Sequence, residues 1–412
     1  MLGNCKEIVD RVWPTVRDRH RRCLGAVLLS LSALAQAGAG LEFQWRELPP
    51  VPANQNAWSE SIPVGAPWWR QIGLAGPLVG VQGDRLLVGG GANFPEPAKT
   101  ATRDNTLGKV YWDEVFVLDL KTGVWSDRRF KLPRALAYSS TVSLPEGVLV
   151  IGGEGHEAPN GNLKDPLKVY ADVFLMRLNA QGQEIEYKPY PSLPRAASYG
   201  AAAVVGRTVF MQSGADFWSL DLDAPERGWK TLPTWPGEPR DLALAAAVGH
   251  QFILASGRYK KGGAWLVHQD AYAYDARSGK WSRLPDMPYP AQAGQAYGVR
   301  GQYFVVLSGD RNVKRWELQA QLEAARAQAQ PGSPAWEQAN NAVTFAFDHH
   351  AGNNQAILVY DSRARQWRES GYLPGPAPVT TQPVMWRDEL LLVSGETNPG
   401  KRTPNIWGGR PK

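Results

Sequence analysis

From Ala75 onward, short apolar runs alternate with polar loops, and their order recurs. A run ends in Gly-Gly or Ser-Gly, a polar loop follows, a second alternating run comes next, and the unit closes on Trp and Leu-Pro. The first runs are Leu86-Leu87-Val88-Gly89-Gly90, Val148-Leu149-Val150-Ile151-Gly152-Gly153 and Val209-Phe210-Met211-Gln212-Ser213-Gly214. Three more follow: Phe252-Ile253-Leu254-Ala255-Ser256-Gly257, Tyr303-Phe304-Val305-Val306-Leu307-Ser308-Gly309 and Leu390-Leu391-Leu392-Val393-Ser394-Gly395. Trp125, Trp229, Trp281 and Trp367 stand near the ends of their units, with Tyr187 replacing the tryptophan in the second. Runs this short with period-two alternation predict strands, and a recurrent unit predicts that neighbours stack to bury a shared core.

The sixth unit lacks a fourth strand after Ile406-Trp407. Phe43-Gln44-Trp45-Arg46-Glu47-Leu48-Pro49 carries the closing Trp-x-x-Leu-Pro form and is expected to complete that unit, removing a free sheet edge. Within the fifth unit an Ala-, Gln-, Glu- and Arg-rich insertion from Lys314 to Gln330 predicts a surface helix, the whole insertion running over about 312–340.

The pattern resembles the kelch repeat. That resemblance implies an all-β, six-bladed kelch-type β-propeller over residues 41–412, closed by the N-terminal strand, with the tryptophans packing between blades. Composition agrees: 42 glycines, 32 prolines and 17 tryptophans suit many short strands joined by tight turns and anchored by large rings.

The first residues read differently. Arg17, Arg19, Arg21 and Arg22 precede an apolar stretch from Leu24 to Ala35, too short to span a bilayer, and Ala35-Gln36-Ala37 offers small residues for cleavage. Residues 1–37 are therefore expected to be a secretory signal, leaving a periplasmic or secreted protein with no stable membrane insertion. Its removal takes Cys5 and Cys23, the only cysteines, so thiol chemistry and thiolate metal sites are not expected. It also takes six basic and three acidic residues, lowering the formal charge from +6 to about +3. The remaining chain shows no basic run interleaved with aromatics, so nucleic acid is not an expected partner. The oligomeric state stays open.

In an up-and-down blade, the loop leaving the second strand and the one entering the first share a face, where side chains from every blade gather. The loops after the second strands present Asn93, Glu154, Asp216, Arg258, Asp310 and Glu396, with Arg402 further on; the lead-ins to the first strands add Arg134, Arg195 and Arg240. We take Asn93, Arg134, Glu154, Arg195, Arg240 and Arg258 as candidate substrate-binding residues. The arginines suit a polar, anionic small molecule, although each could instead serve a blade salt bridge. The histidines show no ligand spacing, so no metal site is expected.

Two stretches narrow the reading. Ala75-Gly76-Pro77 with Gly89-Gly90-Gly91-Ala92-Asn93-Phe94-Pro95, and Gly395-Glu396-x-x-Pro399-Gly400-x-Arg402-Thr403-Pro404, resemble the sialic acid mutarotase family, in particular its cyclically permuted branch. Asn398 stands where that family often has a lysine, and Lys401 where it often has an aliphatic residue. The resemblance implies that Glu396 and Arg402 are the catalytic pair, that no cofactor is used, and that the substrate is a sialic-acid-like acidic sugar whose anomers interconvert by acid/base ring opening. Glu396 would transfer the proton; Arg402 would hold the substrate carboxylate or stabilise negative charge on oxygen. The alternative is a non-catalytic extracytoplasmic kelch propeller that binds a carbohydrate or protein partner.

Overall fold

The computed structural model describes residues 41–54, 72–94, 109–156 and 166–412. The expected signal at 1–37 lies outside them. Among the described residues, six antiparallel sheets each contain a four-strand meander, here called blades one to six. Their first strands are Leu78–Gln82, Ser140–Leu144, Ala201–Val205, Leu244–Val248, Gln295–Val299 and Val384–Trp386. The last five of these strands, with Gly76 and Pro77 just ahead of the first, line a central cavity of about 320 Å³.

Strand alternation explains how the blades stack. In blade one, Leu86 and Val88 face blade six and pack with Leu391, Val393 and Ile406, while Leu87 between them faces blade two and packs with Val148 and Val150. The same two-sided arrangement continues around the ring, with an apolar cluster between each successive pair of blades. Period-two patterning here means that both faces are buried.

The closing strand is found where the sequence placed it. Phe43–Leu48 pairs antiparallel with Ile406–Pro411, from Phe43 opposite Pro411 to Leu48 opposite Ile406. Arg46 clamps it with a two-pronged contact to Glu389, at 2.5 and 2.7 Å. The Trp and Leu-Pro signals also meet across blades: Trp281 Nε1 donates to the Pro233 carbonyl and Trp367 Nε1 to that of Pro285, both at 2.8 Å. Each indole thus satisfies its polar edge on the preceding blade's turn.

The insertion in blade five departs from the expected single helix. It forms α1, Val313–Gln328, and α2, Pro334–Asp348, packed on one another. Pro331-Gly332 breaks the run; Ser333 Oγ accepts from the Trp336 N–H and Pro334 opens the second helix. The second helix is as alanine-rich as the first but carries Asn, Thr and Phe where the first has Gln, Glu and Arg, so its sequence gives a weaker helical signal.

Six residues draw the ring together at one end of the cavity. Gly76, Tyr138, Tyr199, Leu242, Ala293 and Thr380 precede the six first strands, and all have left-handed backbone, with φ between 54° and 60°. Each N–H donates to the carbonyl one blade back: Tyr138 to Gly76 at 2.9 Å, Tyr199 to Tyr138 at 3.1 Å, Leu242 to Tyr199 at 3.0 Å. Ala293 continues to Leu242 at 2.9 Å, Thr380 to Ala293 at 2.8 Å, and Gly76 closes the circle on Thr380 at 2.6 Å. The left-handed conformation costs a non-glycine residue roughly 1–2 kcal/mol. It places the peptide groups in register around the axis and satisfies them there.

Candidate active site

The ring fixes where functional side chains emerge. In five blades, the residue following the Gly-Gly or Ser-Gly pair bridges the residue just before the left-handed one: Ala92 to Ala75, Glu154 to Ala137, Arg258 to Asp241, Asp310 to Gln292 and Glu396 to Val379. Glu154, Arg258, Asp310 and Glu396 therefore occupy equivalent positions on one face, disposed around one axis. Blade three has no such residue, because its turn from Ser213 to Asp216 is tight. The (Gly/Ser)-Gly pair supplies two successive positive-φ residues at this corner, as in Ser394 at 55° and Gly395 at 115°. Serine is accommodated because its hydroxyl finds partners: Ser394 Oγ accepts from the Leu74 N–H and donates to the Thr403 carbonyl, both at 2.8 Å.

Glu396 and Arg402 lie on a small hairpin, Glu396–Asn398 with Lys401–Arg402, as direct cross-strand partners. Arg402 Nη2 donates to Glu396 Oε2 at 2.8 Å, and its guanidinium lies 4.7 Å from the centre of the Phe94 ring. The Arg402 side chain is only 3% exposed and that of Glu396 21%. The carboxylate is thus the accessible member, with the guanidinium behind it. Arg402 Nε and Nη1 are buried without hydrogen-bond partners among the described residues. Asn353 steadies the hairpin by donating to the Glu396 and Thr397 carbonyls, both at 3.1 Å.

Glu154 is buried beneath aromatics. Its Oε1 accepts from the hydroxyls of Tyr111 and Tyr199, both at 2.6 Å, and Lys109 Nζ is 3.7 Å away. Burial, followed by the Glu154 charge, pushes the Tyr111 hydroxyl far above its ordinary range; burial, with Tyr138 and then Glu154, does the same to Tyr199. Both phenols stay protonated and serve as donors. The rings of Tyr138 and Tyr199, not singled out from the sequence, lie tilted against each other with centroids 4.4 Å apart. Their signal was the repeated Arg-x-x-x-Tyr of Arg134-Tyr138 and Arg195-Tyr199.

Arg258 stands in the corner of two indoles, 4.2 Å from the centres of both Trp265 and Trp316. Trp265 comes from the blade-four hairpin strand Ala264–Val267 and Trp316 from α1. Burial and then the neighbouring Arg315 charge lower the Arg258 guanidinium to about 10.

Four expected substrate residues have other work. Asn93 is one position past the equivalent of Glu154; its amide donates to the Gly73 carbonyl at 3.0 Å and its oxygen accepts from Trp112 Nε1 at 2.8 Å. Arg134 pairs with Asp172 at 2.5 Å, and Arg195, 66% exposed, pairs with Asp216. Arg240, 0% exposed, forks onto Asp270 at 2.8 and 3.0 Å. Each of these arginines engages the carboxylate at the start of its own blade's third strand, a tie within the blade. Among the described residues, no cluster of His, Cys, Asp and Glu could hold a metal ion.

Fold and site together define a β-propeller that carries a carboxylate–guanidinium pair beside its axis. The chain matches the model of the N-acetylneuraminate epimerase family over residues 37–169 and 190–410, and it belongs to that family. Similar relatives include the N-acetylneuraminate epimerase of Haemophilus influenzae strain PittEE, 29% identical over 58% of this chain and 62% of the relative. That of Yersinia enterocolitica serotype O:8 / biotype 1B is 26% identical over 54% and 57%. The match thus spans less than two thirds of these curated relatives. A solved structure of YjhT superimposes with a TM-score of 0.55, covering 81% of this chain and 94% of its own at 14% identity, which establishes the likeness of fold.

Proposed function

We propose that the protein is a cofactor-independent sugar mutarotase, an isomerase that equilibrates the anomers of an acidic sugar of the N-acetylneuraminate type. The observation carrying this reading is the Glu396–Arg402 pair, in which the carboxylate is the member exposed to a ligand. Glu396 takes the anomeric hydroxyl proton as the ring C–O bond breaks, and the departing ring oxygen is protonated by water. The resulting ketone turns about its carbon–carbon bond; reclosure on its other face, with the proton transfers reversed, gives the other anomer. Arg402 holds the carboxylate in place. The reading includes export, because residues 1–37 have the composition of a signal.

The test is proton NMR of freshly dissolved single-anomer N-acetylneuraminate, with and without protein. Acceleration by the wild type that falls at least about 100-fold in Glu396→Gln is expected. Binding without acceleration would instead favour a carbohydrate-binding propeller, and full acceleration by Glu396→Gln would reject the proton-transfer role.

A further inference from the structure

Anionic ligands need a cation whose charge is not already spent. Among the four arginines expected to bind substrate, Arg134, Arg195 and Arg240 are each committed to a carboxylate. Arg402 is turned onto Glu396 and nearly closed off. Arg258 differs. No described residue forms a hydrogen bond or ion pair with its guanidinium; Asp241 and Asp310 attract it only through space.

The surroundings repeat the same imbalance. Trp265 Nε1 and Arg315 Nε are buried donors without acceptors among the described residues. Trp316 carries a cation against its ring from both Arg258 and Arg315, at 4.2 and 4.3 Å. Of the two carboxylates that attract Arg258, Asp310 is already occupied by Arg315, by Trp316 Nε1 at 2.8 Å and by the Asn312 N–H at 3.0 Å, and Asp241 forms no ion pair with it. Two cations and an unmatched indole N–H thus share one saturated carboxylate, Asp310, and a second, Asp241, that forms no ion pair with Arg258. That is an environment short of an acceptor. The two indoles meet in a corner, so one ring can lie against a face of the Arg258 guanidinium and the other against its rim, and the remaining N–H groups have no partner among the described residues and suit a planar anion.

Arg258 and Glu396 occupy equivalent positions two blades apart beside the same hydrogen-bonded ring. We propose that Arg258, held by Trp265 and Trp316, is the residue that binds the carboxylate of the sugar acid and sets the preference for charged over neutral ligands. Helix α1 then belongs to the binding site, because it supplies Trp316. This inference rests on the acidic-sugar reading above and divides the labour: Glu396 meets the anomeric centre while Arg258 holds the acid.

The test uses the 2-O-methyl glycoside of N-acetylneuraminate, which cannot open, and its neutral 1-methyl ester. Dissociation constants of both are measured for wild type, Arg258→Gln and Arg258→Lys, alongside the anomer-equilibration rate of the free sugar. Losing a charge-assisted, bidentate contact is expected to weaken the acid about 10- to 100-fold in Arg258→Gln and the ester less than about threefold, with Arg258→Lys intermediate. Should Arg258→Gln fail to fold, the Lys variant carries the test, since an ammonium keeps the charge but not the flat fork. An acid-to-ester ratio the same as wild type in the folded variants overturns the proposal, even while wild-type catalysis stands. A wild type that neither binds nor equilibrates the sugar overturns the acidic-sugar reading itself.

Discussion

Glu396 and Arg402 are joined twice, as facing residues of one hairpin and through a 2.8 Å contact between their side chains. The hairpin makes the second contact inexpensive, since its backbone already sets the two side chains on the same side. Arg402 stands behind the carboxylate, so in the proposed mechanism its part is to position Glu396. Arg402→Met is therefore expected to lower kcat about 100-fold and change KM for the acid less than about threefold, the reverse of the pattern expected for Arg258→Gln. Steady-state NMR kinetics on both variants check this; a KM effect dominating in Arg402→Met would return the anion to Arg402.

The blade arginines should behave as structural groups of very different weight. Arg240 has no solvent to fall back on, so Asp270→Asn leaves a buried, underpaired cation and is expected to cost about 3–5 kcal/mol. Arg195, mostly in water, is expected to cost less than about 1 kcal/mol as Arg195→Ala and to leave the equilibration rate unchanged. Urea unfolding together with the NMR rate separates the two cases; a rate loss in Arg195→Ala would restore it to the substrate site.

The repeat made most of the architecture readable, because each strand obeys the same two-faced burial and each tryptophan meets a neighbouring Leu-Pro turn. Even the distant partners Phe43–Leu48 and Ile406–Pro411 could be matched through that turn signal. The site was only half legible. Positions after the Gly-Gly or Ser-Gly pairs pointed to Glu154, Arg258, Asp310 and Glu396, but counting one residue late brought in Asn93, whose side chain is used up by Gly73 and Trp112. Which arginine is already neutralised depends on carboxylates 21 to 38 residues away, such as Asp216 for Arg195 and Asp172 for Arg134. Trp265 and Trp316 come from a hairpin and a helix whose meeting no local pattern announces.

The ring of left-handed residues makes an asymmetric prediction. A Cβ on Gly76 would come within 2.5 Å of Tyr138 Cδ1 and 2.6 Å of the Tyr138 backbone nitrogen, at φ 60°. Gly76→Ala must therefore displace the atoms that donate in the ring, and a loss of about 2–4 kcal/mol is expected. At Ala293, already left-handed, Ala293→Gly relieves strain while loosening the unfolded chain, so a change within about 1 kcal/mol is expected. Denaturant midpoints of the two variants check the contrast; equal losses would mean that the ring does not constrain position 76.

Asp310 ties this ring to the insertion, because the same carboxylate that follows Ser308-Gly309 receives Arg315, Trp316 and the N–H of Asn312 at the start of α1. Burial alone would raise its pKa, but His350, with Nε2 3.8 Å from the carboxylate, and the Arg315 charge outweigh it and hold the carboxyl below its ordinary value of 3.8. A depressed folded value means that Asp310 contributes its full stability above about pH 4 and loses it as the pH falls below that toward the folded value. Asp310→Asn is expected to cost about 3–5 kcal/mol at pH 7, because Arg315 is left buried without its partner. The gap to wild type should then narrow between pH 4 and about pH 2. Urea unfolding at intervals across that range reads it directly, and a gap that stays constant would show that the carboxylate's charge is not what holds α1. The same loss should reach the ligand: with Trp316 no longer fixed, the acid-to-ester preference assigned to Arg258 is expected to fall in Asp310→Asn even at pH 7.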